Sequence, residues 1–375
     1  MADIFDYLKW RGDVPFSTDE FNDVDNLILA ELTYTHFEGI LPEDGSGITL
    51  AEARDAFFAC HSREEIRQET NPVAKAPLLM DWMLTGRRFG SVVLSNYENV
   101  IDTDKDAQFC AVTYILDDGT AYVAYRGTDS TIVGWKEDFN MSFLPVTEGQ
   151  RLAADYLNRM GSVHNVPLRV GGHSKGGNFA VYASAFARSD VRDRILQVYC
   201  NDGPGFRKEI QDSPEYAEIS SKVISIVPDT SIIGMLLTNN TSRKIVRSAE
   251  KGLLQHDGLT WQVERNRFVT AEMSDLGNFI RKAQKDWLSG ISDERREQFV
   301  NSLFSLFKAT GMETFGEMSD SKLKSAEKII SAMQDMPFND KMELLRIIGE
   351  LIQSGGEVAW KSASDFFIDG SVDTE

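Results

Sequence analysis

The chain is short of cysteine, of basic charge and of long apolar runs. Cys60, Cys110 and Cys200 are the only three cysteines in 375 residues, widely spaced, with no C-x-x-C pair and no histidine cluster beside them. That pattern supports neither a disulfide framework nor a zinc site, and it fits reduced thiols in a cytosolic protein. Lys and Arg number 39 against 58 Asp and Glu, a net charge of −19, and the acid excess lies on both sides of residue 270. Nucleic acid is therefore excluded as an electrostatic partner, because phosphate binding needs concentrated cations to displace counterions. Docking on anionic lipid is disfavoured for the same reason. No run approaches the ~18 uncharged apolar residues of a spanning helix, so stable membrane insertion is not expected. The opening residues include Asp3 and Asp6 and lack an apolar core segment, so no signal peptide is expected and the location expected is the cytoplasm.

What is present suits a globular protein. Apolar residues make up 42% and charged residues 26%, too apolar for intrinsic disorder. The first 95 residues read as mostly helical. Leu27, Ile28, Leu32 and Tyr34 fall at helical spacing, and Thr49 with Glu52 forms a capping box ahead of Ala53, Ala56, Phe57 and Phe58. From about residue 107 the period becomes two. Strands are expected at 109–116 and 121–125, joined by the turn Asp117-Asp118-Gly119-Thr120. A helix over 148–160, a strand over 167–170, a helix over 176–187 and strands over 195–199 and 223–227 follow. Strands alternating with helices imply an α/β domain with a mostly parallel sheet. Charged amphipathic helices take over after residue 270, one of them capped by Ser292 and ended by Gly311. The division expected is a domain over 1–270, its core at about 107–263, and a helical region over 271–375.

The sharpest motif is Gly172-His173-Ser174-Lys175-Gly176, a G-x-S-x-G pattern. From residue usage alone it should arise by chance in roughly one chain of this length in ten. Its setting gives it weight: Leu168-Arg169-Val170 reads as a strand and residues 178–183 as a helix. A strand-to-helix elbow is where a nucleophilic serine adopts a strained backbone and projects its Oγ from the sheet edge. Such a serine needs a histidine base and an orienting acid, following it in that fold as acid, then histidine. Of five histidines only His256 lies beyond Ser174. Two acids end strands between them, Asp202 and Asp229; the residues alone favour Asp229, since Asp202 opens a Gly203-Pro204-Gly205 turn. The main-chain N–H of Lys175 would be one oxyanion donor, and the loop 125–130 after a strand is placed to supply the other.

Tyr125-Arg126-Gly127-Thr128, then Trp135-Lys136-Glu137-Asp138, then the elbow, resemble the class 3 lipase family of α/β-hydrolases. The resemblance spans about residues 107–263. It implies an α/β-hydrolase fold, a mostly parallel sheet flanked by helices. It implies that Thr128 supplies an oxyanion donor, that Asp138 steadies its loop, and that Asp229 completes a triad with Ser174 and His256. The segments 6–13 and 21–27 look like a narrower bacterial family related to these lipases, known as a domain of unknown function. The activity implied is hydrolysis of carboxylic esters or thioesters, on an acyl ester or lipid substrate, with no metal or organic cofactor. The contrasting expectation is an idle hydrolase-fold protein that binds a partner through its C-terminal helices. Their apolar stripes are Phe299, Leu303, Leu306 and Phe307; Ile329, Ile330 and Met333; and Leu344, Leu345, Ile348, Leu351 and Ile352.

Overall fold

The computed structural model of the chain describes residues 2–129, 131–231, 233–235, 237, 242–274, 277–278 and 292–310. Eight strands form one sheet in chain order: β1 (Ile48–Thr49), β2 (Val93–Asp102), β3 (Ala107–Ile115), β4 (Ala121–Tyr125), β5 (Leu168–His173), β6 (Ile195–Asn201), β7 (Val223–Pro228) and β8 (Arg243–Val246). Pairings from β1 to β4 are antiparallel and those from β4 to β8 parallel. The parallel half, with helices between its strands, is the α/β-hydrolase arrangement anticipated from the sequence.

The sheet starts earlier than residue 107. β2 escaped the sequence reading because Ser95, Asn96, Glu98 and Asn99 break its alternation. A register shift between Ser95 and Glu98 makes room for them. Period-two patterning then divides the core between the two faces of the sheet. Val112, Tyr114, Tyr122 and Ala124 pack with the N-terminal helices α1 (Ile4–Arg11), α2 (Asp23–Leu32) and α3 (Leu50–Cys60). Phe109, Ala111, Ala121, Val123 and Tyr125 pack on the other face. The expected Thr49–Glu52 capping box starts α3.

Two short helices (Arg63–Gln68 and Leu79–Met83) precede β2, and we number them α4 and α5. After β4 come α6 (Ile132–Asn140) and α7 (Glu148–Val163), and after β5 comes α8 (Lys175–Phe186). α6 was not anticipated; Thr131 caps it, its Oγ1 accepting from the Gly134 N–H at 3.3 Å. Beyond the sheet, a helix over Asp293–Thr310 lies on α6, with Val300 and Phe304 buried and Phe304 against Phe139 at 5.8 Å between ring centroids. Gly311, the stripes expected from 329 onward, and the side chains of Phe299, Leu303, Leu306 and Phe307 lie outside the described residues. No described helix is long and apolar enough to cross a membrane.

Candidate active site

Ser174 sits between β5 and α8 with φ 57° and ψ −132°, a conformation a non-glycine residue holds only where packing over-determines it. The packing does so. A Cβ on Gly172 would stand 2.4 Å from the Gly176 carbonyl carbon, and one on Gly176 would stand 2.1 Å from the Tyr125 carbonyl oxygen. Only glycine at both positions lets α8 turn this close to β4 and β5. The elbow is further held by the Ser174 N–H donating to the Asn201 carbonyl at 2.9 Å.

His256 lies on a 3₁₀ turn, Gly252–His256. Its Nδ1 is 2.7 Å from Asp202 Oδ2. A carboxylate only accepts, so Nδ1 carries the proton and Nε2 is left as the basic nitrogen. Asp202 is fully buried, with its imidazole partner 28% exposed. Solvent therefore reaches the His256 ring but not the Asp202 carboxylate. The other Asp202 oxygen accepts from Ser231 Oγ, and its N–H donates to Ile226 O at 2.7 Å.

The acid favoured from the sequence does not face His256. Asp229 Oδ1 accepts from Gln255 Nε2 at 2.8 Å and from Thr230 Oγ1 at 3.2 Å. Gln255 Oε1 in turn accepts from the Thr230 N–H at 3.0 Å. The physical reason is the sheet order. β6 is the direct neighbour of β5, so the end of β6 lies nearer the elbow than the end of β7. Asp202 at φ 48° leaves β6 in a left-handed turn. The Gly203-Pro204-Gly205 segment is a turn, as read, but it follows a residue that is more than a turn former.

His173, inside the motif, links the two halves. Its Nε2 is 2.7 Å from the His256 carbonyl, so Nε2 bears the proton and Nδ1 accepts from Tyr34 Oη at 3.0 Å. The two imidazoles lie 4.5 Å apart. Burial and the nearby His256 hold the His173 pKa well below the usual histidine value, so the ring stays neutral. The loop bearing His256 is thus pinned to the residue adjoining Ser174. Among the described residues, Ser174 Oγ and His256 Nε2 are not joined by a hydrogen bond.

On the oxyanion side, Thr128 Oγ1 donates to Asp138 Oδ2 at 2.5 Å, a charge-assisted length. Burial raises Asp138 to about 6, opposed by the Lys175 ammonium, the Thr128 hydroxyl and His256. Thr128 and Asp138 are thus brought together; Asp229 is not brought to His256. A small recess of mixed polarity, lined by Met141, Leu144, Gln150, Phe206, Arg207 and Leu237, adjoins the first turn of α8. There Asn178 Nδ2 donates to Pro204 O and Gly205 O at 3.1 and 2.9 Å. Tyr34, Gln255 and the Glu137 and Lys175 side chains were not singled out as site residues. Nothing local marks Tyr34 or Gln255, whereas Glu137 lies within the W-x-x-D segment. No group of His, Cys, Asp and Glu that could hold a metal ion occurs among the described residues.

Strand order, elbow and loop chemistry together define an α/β-hydrolase fold. A family model described as Mbeg1-like matches residues 83–305. That is more than half of the chain, and the chain belongs to the Mbeg1-like family. No curated protein matches the sequence. Among solved structures, the chain is similar to M37 lipase (14% identity, TM-score 0.32, covering 56% of this chain and 69% of that one). It is also similar to the lipase of Rhizomucor miehei in its propeptide complex (15% identity, TM-score 0.35, covering 59% and 66%).

Proposed function

We propose that the protein is a serine hydrolase cleaving carboxylic ester or thioester bonds. The observation that carries this reading is the Asp202–His256 pair at 2.7 Å, fastened through His173 to a serine on a strained elbow. Ser174 Oγ attacks the acyl carbonyl carbon while His256 Nε2 takes its proton. The tetrahedral oxyanion is met by the main-chain N–H groups of Lys175 and Thr128. As the intermediate collapses, the leaving alkoxide or thiolate takes the proton from His256. Water, activated by the same imidazole, then releases the acid from Ser174. No cofactor enters any step. The acyl group is the part of the substrate that becomes attached to Ser174, with a small ester or a lipid as its source.

The test is covalent labelling of the full chain by a fluorophosphonate. Wild type should label and Ser174→Ala should not; folded wild-type protein that fails both to label and to hydrolyse nitrophenyl esters overturns the reading. A chain-length series of those esters then separates short-chain from lipid-like substrates.

A further inference from the structure

Lys175 lends its main-chain N–H to the oxyanion site, yet its side chain has a separate life. The ammonium is wholly buried and lies 3.1 Å from Glu137 Oε2, 3.2 Å from Gln108 Oε1 and 3.4 Å from the Gly134 carbonyl. A buried lysine is retained only where partners offset a desolvation cost of several kcal/mol. Glu137 is just as buried, and its remaining capacity is filled by the N–H groups of Gln108 at 2.9 Å and Gly149 at 2.7 Å. Gln108 Nε2 reaches Thr131 Oγ1, the cap of α6, at 2.9 Å. The node therefore joins α8 to the cap and body of α6, to β3 and to the start of α7.

We propose that the Lys175–Glu137 ion pair is the tie that sets the spacing of the two oxyanion donors, making both side chains positioning residues. This rests on the hydrolase reading above. The two donors come from different segments: the Lys175 N–H opens α8, whereas Thr128 lies in the loop beyond β4, past the sheet ladder. Thr128 is held by Asp138, Asp138 rides on α6 next to Glu137, and Glu137 is held by the residue that carries the other donor. One side chain thus closes the circuit between both halves of the hole. Donors aimed at an oxyanion lose most of their worth when displaced by about an ångström.

The experiment uses the full chain as wild type, Lys175→Met, Glu137→Gln and the double variant. Glu137→Gln keeps shape and acceptor oxygen, so it serves if Lys175→Met does not fold. For a soluble nitrophenyl ester, kcat should fall about 10²-fold in each single variant, the cost typical of losing one hole donor, with KM nearly unchanged. The double variant should be no worse than the poorer single one, because both changes cut the same tie. Folded single variants with wild-type kcat, or losses that multiply in the double, overturn the proposal. Amide exchange gives a readout independent of turnover. Residues 127–129 and α6 should lose about tenfold in protection, roughly 1.4 kcal/mol, while α7 beyond its first turn does not. If wild type neither labels nor turns over, the hydrolase reading fails by itself. Unchanged exchange in both variants would then overturn the tie as well.

Discussion

Asp202 and Asp229 are chemically identical, and their surroundings give them different work. Asp202 accepts directly from the imidazole that bears the base. Asp229 holds Gln255, one residue before it. Asp202→Asn should therefore cost on the order of 10³–10⁴ in kcat, as expected for loss of the imidazole's orienting acid. Asp229→Asn should cost less than about tenfold, since it acts only through a neighbour. Esterase kinetics with the two losses reversed would reinstate Asp229. Asp138 tests a second residue-scale idea. Its carboxyl is raised to about 6 by burial, so the fold favours its neutral form, and stability is lost as pH rises through the interval from ~4 to about 6. Asp138→Asn should accordingly leave Tm at pH 8 unchanged or higher, with that gain gone by about pH 4. Its kcat at pH 8 should still drop several-fold, because a neutral acceptor holds Thr128 less tightly. Thermal melts at both pH values and one kinetic series decide it. His173 carries the opposite sign. Its depressed pKa contributes stability that is complete above ~6.5 and lost as pH falls below it.

At the scale of elements, α6 is held from two sides. Beneath, Lys175 and Glu137 fix it to the elbow; above, the Asp293–Thr310 helix lies across it. Arg207 Nη2 donates to Asp293 Oδ2 at 2.7 Å and Arg296 Nη1 to the Ser142 carbonyl at 2.7 Å, closing the far end. Phe304 is the apolar half of that contact. Phe304→Ala should lower Tm by about 2–4 °C for each kcal/mol lost, and amide exchange should rise first within 293–310 and α6. Equal loosening of the β5–β7 ladder would mean that this helix is part of the cooperative core and not a cover on it. The elements legible beforehand were those with strong periodicity: α3, α7, α8 and the strands β3 to β7. β2, β8 and α6 were not, because their polar residues are satisfied by neighbours distant in sequence, as Lys175 satisfies Glu137.

Among the described residues the eight-stranded sheet is covered on both faces. Residues 83–305 carry the family match, but on one face Val112, Tyr114, Tyr122 and Ala124 share their core with Ile4, Leu27, Ile28, Leu32, Leu50 and Phe57. A fragment starting at residue 83 should lack a cooperative melt and bind a hydrophobic dye, because that face of β3 and β4 would be bare. A cooperative transition in circular dichroism would refute this. The N-terminal segment also reaches the chemistry, through Tyr34 on His173.

The sequence by itself marked the elbow, since G-x-S-x-G between a strand pattern and a helix pattern fits a strand-to-helix turn. It singled out His256 as the one histidine downstream of Ser174, and it determined the charge and the alternating strands that make the fold. Which carboxylate meets His256 was decided by tertiary structure. Both carboxylates end strands, and only strand order and the left-handed turn at Asp202 bring one of them to the ring. The Lys175–Glu137 pair was decided there too. A buried charge finds its partner by three-dimensional proximity, and a separation of 38 residues carries no periodic signal that a linear reading can follow.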